Sequence, residues 1–414
     1  MRPLPNAAPH HSPRLTSTDY IALNDEFAAA NYAPLDVVIT RGEGAWLWDV
    51  EGRKYLDLLA AYSAVNFGHS HPRIIERGIE QLRRLTMTSR SFHHDQLAPL
   101  SEELAAFCGL DKVLLMNSGA EAVETAIKAA RRWGYEVKNI PQNAAEIIVF
   151  ANNFHGRTTT IISMSDAESS RLNFGPYTPG FVLVPYGDIA ALEAAITPNT
   201  AAILFEPIQG EGGIIIPPEG FLQGIRKLCD RHNVLMLADE IQTGLCRTGR
   251  RFACNHEGVI PDAYIIGKSL GGGVVPISAL VGKAAVMDRF VPGSHGSTFG
   301  GNAFACAIAR EVISIMHDER PDLRSAELGE FFAEGLRSMN SPHITEIRAR
   351  GLFIGVDIRP SSGKAKEFCH RLKDRGILCK DTRVCTIRFA PPIVIEKNDL
   401  EWALEQISDI FGAR

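Results

Sequence analysis

LMLADEIQTGLCRTGR, residues 235 to 250, and DAYIIGKSLGGG, residues 262 to 273, decide how this chain is read. Each contains an apolar run with the length of a strand buried on both faces, which is how central parallel strands look. One run ends in an acidic residue, Asp239, and the other in a lone lysine, Lys268. In open α/β sheets the ligand sits at the carboxyl ends of such strands, so both side chains are expected to point into one crevice. A carboxylate and an amine over a common pocket suit a cofactor with a basic ring nitrogen and an aldehyde, which describes pyridoxal 5'-phosphate, PLP. The plainer alternative, left open by local pattern alone, makes Asp239 a helix cap and Lys268 a turn lysine. Gly267-Lys268-Ser269 imitates the end of a GxxxxGKS phosphate loop, but the first glycine of that motif would fall at Asp262.

Working outward, residues 113 to 133 (VLLMNSGAEAVETAIKAARRW) read as strand, turn and helix, with Ser118 as N-cap and Glu121 completing a capping box. A helix start with the small residues Gly119 and Ala120 leaves backbone N–H groups for a phosphate, with the helix dipole behind it. Further strand-like runs are EIIVFA, FVLVP, AAILFEP and ISALVG, with DIAALEAAI and FLQGIRKLCDRH as intervening helices. This βαβ rhythm predicts an α/β fold with a mostly parallel seven-stranded sheet flanked by helices. Its strand-end loops carry Phe154 to Arg157, Glu206 to Gly213, Asp239 to Gly244, and Lys268.

Residues 1 to about 30 read as a poorly patterned arm, followed by a hairpin in GAWLWDVEGRKYLDLLAA, with strands Ala45 to Asp49 and from Lys54 about a turn at Glu51-Gly52. From Gly301 the pattern changes to a helix through about Met316 and a second from about Pro321 to Met339. Strand-like LFIGVDI, a helix near Lys364 to Arg375, strand-like VCTIRFAPP and a closing helix from Lys397 to Phe411 then follow. The expected division is an arm and hairpin at 1–65, a large cofactor-binding domain at 66–319, and a smaller α+β domain at 320–414 that the hairpin joins in space.

The 414 residues are 45% hydrophobic and 22% charged, with a formal charge of -5 and no long basic run, so neither nucleic acid nor an anionic membrane is the expected partner. No run approaches the ~20 apolar residues needed to span a bilayer. Eight scattered cysteines without a CxxC pair fit reduced thiols and a cytoplasmic setting. The first eighteen residues show no signal-peptide pattern and give a transit peptide little support. His69, His71, His93 and His94 stand at no recognisable ligand spacing and read as loop histidines, so no metal is expected.

From Asn31 to the end, the chain resembles the class III aminotransferases of PLP fold type I, and within them the ornithine aminotransferases most closely. The motifs that carry it, in order, begin with NYAPLDVVITRGEGAWLWDVEGRKYLDLLAAYSAVNFGHSHP and continue with MNSGAEAVETAIKAAR, NNFHGRT, FEPIQGEGGI, ADEIQTGLCRTG, GKSLGGGVVPISA, HGSTFGGN and RFAPP. The resemblance implies that Lys268 is joined to the PLP aldehyde and, once displaced by substrate, carries protons, while Asp239 pairs with the pyridine nitrogen. It further implies that Phe154 stacks on the ring, Gln242 bonds its phenolic oxygen, and Ser118, Gly119 and Ala120 cradle the phosphate. Thr298 would reach that phosphate from the second subunit of a homodimer. For the substrate, Tyr32 and Arg157 would bind the α-carboxylate of ornithine and Tyr62 its α-amine. Arg388 would bind the carboxylate of glutamate, and Glu211 would mask Arg388 while ornithine is bound. Ala33 departs from the pattern, since the ornithine enzymes often carry a bulkier residue there. The activity so implied is transfer of the δ-amino group of ornithine to 2-oxoglutarate. Other readings are another class III ω-aminotransferase acting on acetylornithine, γ-aminobutyrate or lysine, a racemase or isomerase on the same fold, and a binding protein without chemistry.

Overall fold

The computed structural model describes residues 15–412. The sheet expected from the βαβ rhythm is present with seven strands, in the spatial order Lys112–Met116, Ser278–Gly282, Ala263–Ile266, Leu235–Asp239, Thr200–Phe205, Glu146–Phe150, Phe181–Val184. The last five of that order run parallel to one another, and Ser278–Gly282 is antiparallel to both its neighbours.

Alternate residues of these strands feed two separate cores. Ile148, Phe150, Ile203, Phe205, Met236, Ala238, Tyr264 and Ile266 pack on one side. Ile147, Val149, Ala202, Leu204, Leu235, Leu237 and Ile265 pack on the other, against the helix Gly119–Glu136 through Val123, Ala126, Ile127 and Ala130. Continuous apolar runs are therefore the signature of a sheet covered twice, and the period of two decides which helix each side chain meets.

The hairpin appears as Trp46–Asp49 paired antiparallel with Lys54–Asp57. Lys54–Asp57 also pairs in parallel with Ile377–Leu378, so the N-terminal strands and the C-terminal region share one small sheet. A second four-stranded sheet runs in the order Ile344–Arg350, Phe353–Ile358, Thr386–Phe389, Lys380–Thr382. The helices Phe221–His232 and Lys397–Phe411 have the bounds the sequence predicts.

Five elements named here differ from the sequence expectation. The arm contains a helix, Ser17–Phe27, started by a reciprocal capping box between Thr16 and Asp19. None of its residues is buried, so no core selects a periodic apolar face, and its sequence carries none. The portion of the arm before Leu15, including the transit-peptide question, lies outside the described residues. Helices Pro72–Arg84 and Leu97–Cys108, and strands Ile39–Glu43 and Ile344–Arg350, were not anticipated. In Pro72–Arg84 Ile74, Gly78 and Gln81 are buried, whereas Ile75, Ile79 and Leu82 are exposed.

Candidate active site

Asp239 ends the central strand Leu235–Asp239 and is buried. Its Oδ1 accepts the Ile241 N–H at 3.1 Å and its Oδ2 accepts His155 Nδ1–H at 2.6 Å. Burial works against a charged His155 ring, but the hydrogen bond and charge of Asp239 outweigh it and raise the imidazole pKa. Behind them, just past strand Thr200–Phe205, Glu206 accepts the Phe154 N–H at 2.9 Å and the Gly210 N–H at 3.1 Å. Burial pushes its carboxyl up to about 7, against the pull of His155.

Lys268 follows strand Ala263–Ile266 with left-handed backbone, φ 46°. Desolvation lowers the pKa of its amine, opposed by the carboxylates of Asp239 and Glu211. That is the direction needed for an amine that must lose its proton. Asp239 and Lys268 thus stand at the ends of adjacent parallel strands, near enough for the Asp239 charge to act on the lysine.

At the start of helix Gly119–Glu136, Ser118 Oγ accepts the Glu121 N–H at 3.2 Å, and Glu121 Oε2 accepts the Ser118 N–H at 2.7 Å. This cap takes the third helical N–H and leaves those of Gly119 and Ala120 to an outside acceptor. Phe154 is half-buried, with the exposed Arg157 guanidinium 5.4 Å from its ring centroid.

The Glu211 carboxylate closes a bidentate pair on Arg388, at 2.6 and 3.0 Å. Burial raises the Glu211 pKa, but Arg388 lowers it further, and the net shift is downward. The Arg388 side chain is 1% exposed and its guanidinium lies 5.0 Å from the Tyr62 ring centroid. Gln242 Nε2 reaches Glu211 only at 3.4 Å, and its Oε1 is buried without a hydrogen-bond partner among the described residues. The Gly210 backbone lies against this amide: a Cβ there would fall 1.7 Å from Oε1 and would displace it.

Not every expected residue converges. Tyr32 is 81% exposed, although it stands near enough to Tyr62 to contribute to raising its pKa, which burial chiefly raises. Thr298 lies in an exposed loop. Its neighbour Ser297 accepts a 2.8 Å bond from Asn117 Nδ2, beside the helix start. His155 and Glu206 stand in two of the strand-end loops, but no motif spacing in the sequence marks either as a site residue. Nor does the sequence mark the backbone of Ala60, Ala61, Tyr62 and Ser63, all at positive φ. Left-handed geometry costs an L-residue roughly 1–2 kcal/mol, and AAYS carries no glycine to announce it.

The groups present form a chemically coherent set for PLP: a buried amine, a buried carboxylate for a ring nitrogen, open helix N–H groups for a phosphate, an aromatic face, and an amide oxygen lacking a partner. Among the described residues no group of three or more His, Cys, Asp or Glu is placed to hold a metal ion, and no helix is long and apolar enough to cross a membrane. The aminotransferase class-III family matches residues 27–411. An ornithine aminotransferase from Geobacillus sp. (strain WCH70) is 54% identical over 396 residues, 96% of this chain and 99% of that protein. The structure of the ornithine aminotransferase from Toxoplasma gondii, which shows partial occupancy of PLP at its active site, matches with TM-score 0.95 and 46% identity, over 96% of this chain and 95% of that one. Acetylornithine aminotransferase from Elizabethkingia anophelis matches with TM-score 0.86 and 44% identity, over 95% and 98%. A family match across nearly the whole described chain, with the expected amine and carboxylate at adjacent strand ends, makes this chain a member of the class III aminotransferases.

Proposed function

We propose that the protein is an ornithine δ-aminotransferase, converting L-ornithine and 2-oxoglutarate to glutamate 5-semialdehyde, which cyclises to pyrroline-5-carboxylate, and glutamate. The observation that carries the choice of substrate is the Glu211–Arg388 pair beneath the Tyr62 ring. Two substrates must present amines at different distances from a carboxylate within one site. A permanently open Arg388 would draw the α-carboxylate of ornithine into the glutamate pose and deliver the wrong nitrogen. Masked by Glu211, Arg388 is withheld from ornithine; released, it receives glutamate or 2-oxoglutarate. At about 4 Å and an effective dielectric of 20 the mask is worth ~4 kcal/mol before desolvation.

PLP, when bound, supplies an aldehyde for the amine and a protonated ring that takes up the electrons released at the reacting carbon. Lys268 would be the base: with its pKa lowered by desolvation, its free amine could take a proton from the substrate carbon and return it. Asp239 would face the ring nitrogen and is oriented by His155. Ser118, Gly119 and Ala120 would hold the phosphate, Phe154 would face the ring, and Gln242 would bond the phenolic oxygen. Tyr62 takes the α-amine of ornithine, and Tyr32 and Arg157 its α-carboxylate. Tyr32 and Thr298 are exposed in the single chain, which fits completion of the site in a homodimer, with Thr298 reaching the second subunit's phosphate. The same reading divides the chain at about residues 65 and 319 and places it in the cytoplasm, which its eight free cysteines suit.

The test is one assay of the purified holoenzyme with ornithine, acetylornithine, γ-aminobutyrate and lysine against 2-oxoglutarate. Ornithine is expected to give the highest kcat/KM, with the pyrroline as product. A preference for acetylornithine or γ-aminobutyrate would replace this reading with that of another ω-aminotransferase. Borohydride treatment followed by peptide mapping should mark Lys268.

A further inference from the structure

Ala60 (φ 47°), Ala61 (46°), Tyr62 (60°) and Ser63 (70°) form an unbroken left-handed run without a glycine. L-residues visit this region singly, and a run persists only where the surroundings over-determine it. The Ser63 hydroxyl is buried without a hydrogen-bond partner among the described residues, and within the turn itself the Tyr62 N–H reaches the Leu59 carbonyl at 3.1 Å.

Its entry is held by Asp57, buried at the end of strand Lys54–Asp57. Its Oδ1 accepts the Leu59 N–H at 2.8 Å and the Ala60 N–H at 2.9 Å, the two donors that lead into the turn. Its Oδ2 is bonded to His69 Nε2 at 2.8 Å. His69 is fixed in turn by reciprocal backbone bonds with Gly44, at 3.0 and 2.8 Å. Its ring packs onto Gly42, where a Cβ would fall 2.8 Å from it. On the far side, the Ala64 and Val65 N–H groups return to the Ala60 carbonyl at 2.9 and 3.1 Å. Asn66 then bonds Ser269 Oγ at 3.1 Å, one residue from Lys268. The turn is clamped at both ends, and Tyr62, at its centre, meets Arg388.

We infer that Asp57, supported by His69, is a specificity-determining positioning residue: it holds the left-handed turn that aims Tyr62 at the α-amino end of the substrate. Without its two acceptor bonds, residues 60–63 can relax to right-handed backbone, which redirects the Cα–Cβ bond of Tyr62 and withdraws the hydroxyl. The inference rests on the proposed role of Tyr62 as the contact for the α-amine of ornithine.

The test is a double-mutant cycle on the holoenzyme, read as the ratio of kcat/KM for ornithine to that for γ-aminobutyrate, which lacks the α-amine. Tyr62→Phe, which removes only the hydroxyl, is expected to lower the ratio about ten- to a hundredfold. Asp57→Ala should lower it roughly five- to tenfold, through KM for ornithine and not kcat, and should add nothing in the Tyr62→Phe background. Asp57→Asn keeps the acceptor for both N–H groups and can donate to His69 in its other tautomer, so it should restore most of the ratio. Gly42→Ala crowds the His69 ring and should shift the ratio the same way by less. An unchanged ratio in Asp57→Ala, or an equal fall in both backgrounds, overturns the inference and leaves Asp57 a purely structural residue. If Asp57→Ala does not fold, Gly42→Ala takes its place in the cycle and the same non-additivity is required. A wild type without preference for ornithine fails earlier and differently, since it removes the proposed substrate and this inference together.

Discussion

The floor of the site and its rim are built by different means. The floor, Lys268, Asp239 and the start of helix Gly119–Glu136, stands on the ends of regular strands and on a capped helix, with every side chain backed by a packed sheet. The rim, Tyr32, Tyr62, Glu211 and Thr298, stands on loops, a left-handed turn and, in the proposed dimer, a second chain, gathered about Arg388 on the strand Thr386–Phe389. The contrast fits two tasks: chemistry common to every substrate needs fixed geometry, whereas admitting two substrates in alternation needs a part that can change partners. Substitutions in the floor should therefore cost turnover with all substrates alike, and substitutions in the rim should redistribute activity among them.

The largest expected effect is Lys268→Ala, which should leave a folded protein that still binds PLP but loses turnover by several orders of magnitude with ornithine and glutamate equally. Unequal losses in the two half-reactions, measured by stopped-flow, would break the floor-and-rim division. Asp239→Asn comes next. It keeps the shape but removes the charge that favours a protonated ring nitrogen, and it also deprives His155 of the anion that raises its pKa. Activity should fall far more than PLP content, again for both substrates, and near-normal turnover would reduce Asp239 to a structural role.

The same contrast governs what the sequence revealed. Apolar runs ending in Asp239 and Lys268 expose the floor because regular elements impose a period on their residues. Ser118 was legible as a cap because capping needs a side-chain oxygen at one spacing from Glu121. The class III resemblance named Tyr62, but the turn that presents it was invisible: alanine, tyrosine and serine carry no preference for positive φ, and the geometry is imposed from outside by Asp57. His155 and Glu206 escaped for a related reason, since a buried partner of a partner has no spacing rule. Helix Ser17–Phe27 escaped because it buries nothing within its own chain.

On the rim, Glu211→Ala sharpens the comparison. Removing one member of a pair whose arginine is 1% exposed leaves an uncompensated charge, a change that typically costs about 3–5 kcal/mol of stability, visible as a lowered Tm. Arg388 is then permanently open, so the glutamate half-reaction should speed up relative to the ornithine one, and part of the ornithine should react through its α-amine. Stopped-flow rates with both amino acids, with product analysis for the α-keto acid of ornithine, read the two effects separately. If rate ratio and regiochemistry both match wild type, Glu211 is no gate.

The smallest effect on turnover is expected from Glu206→Gln, which tests whether the buried support beneath the floor is tuned or merely packed. The Glu206 carboxyl sits at about 7 in the folded protein against an ordinary value of 4.5, raised by burial and only partly restrained by His155. Between those two values the folded chain binds more protons than the unfolded one, so this group's contribution to stability is complete below pH 4.5 and is lost as the pH rises through about 7. Glutamine cannot ionise and escapes that loss, but its amide accepts only one of the two backbone N–H bonds from Phe154 and Gly210, at a cost of about 1 kcal/mol that does not change with pH. The variant should therefore be less stable than wild type at pH 5 and should gain on it steadily toward pH 8, with turnover at neutral pH changed only severalfold. Thermal unfolding of both proteins across that range decides the matter: a stability difference that stays constant from pH 5 to pH 8 would mean that Glu206 is ionised throughout, held by its two N–H donors and His155 against the burial that opposes its charge.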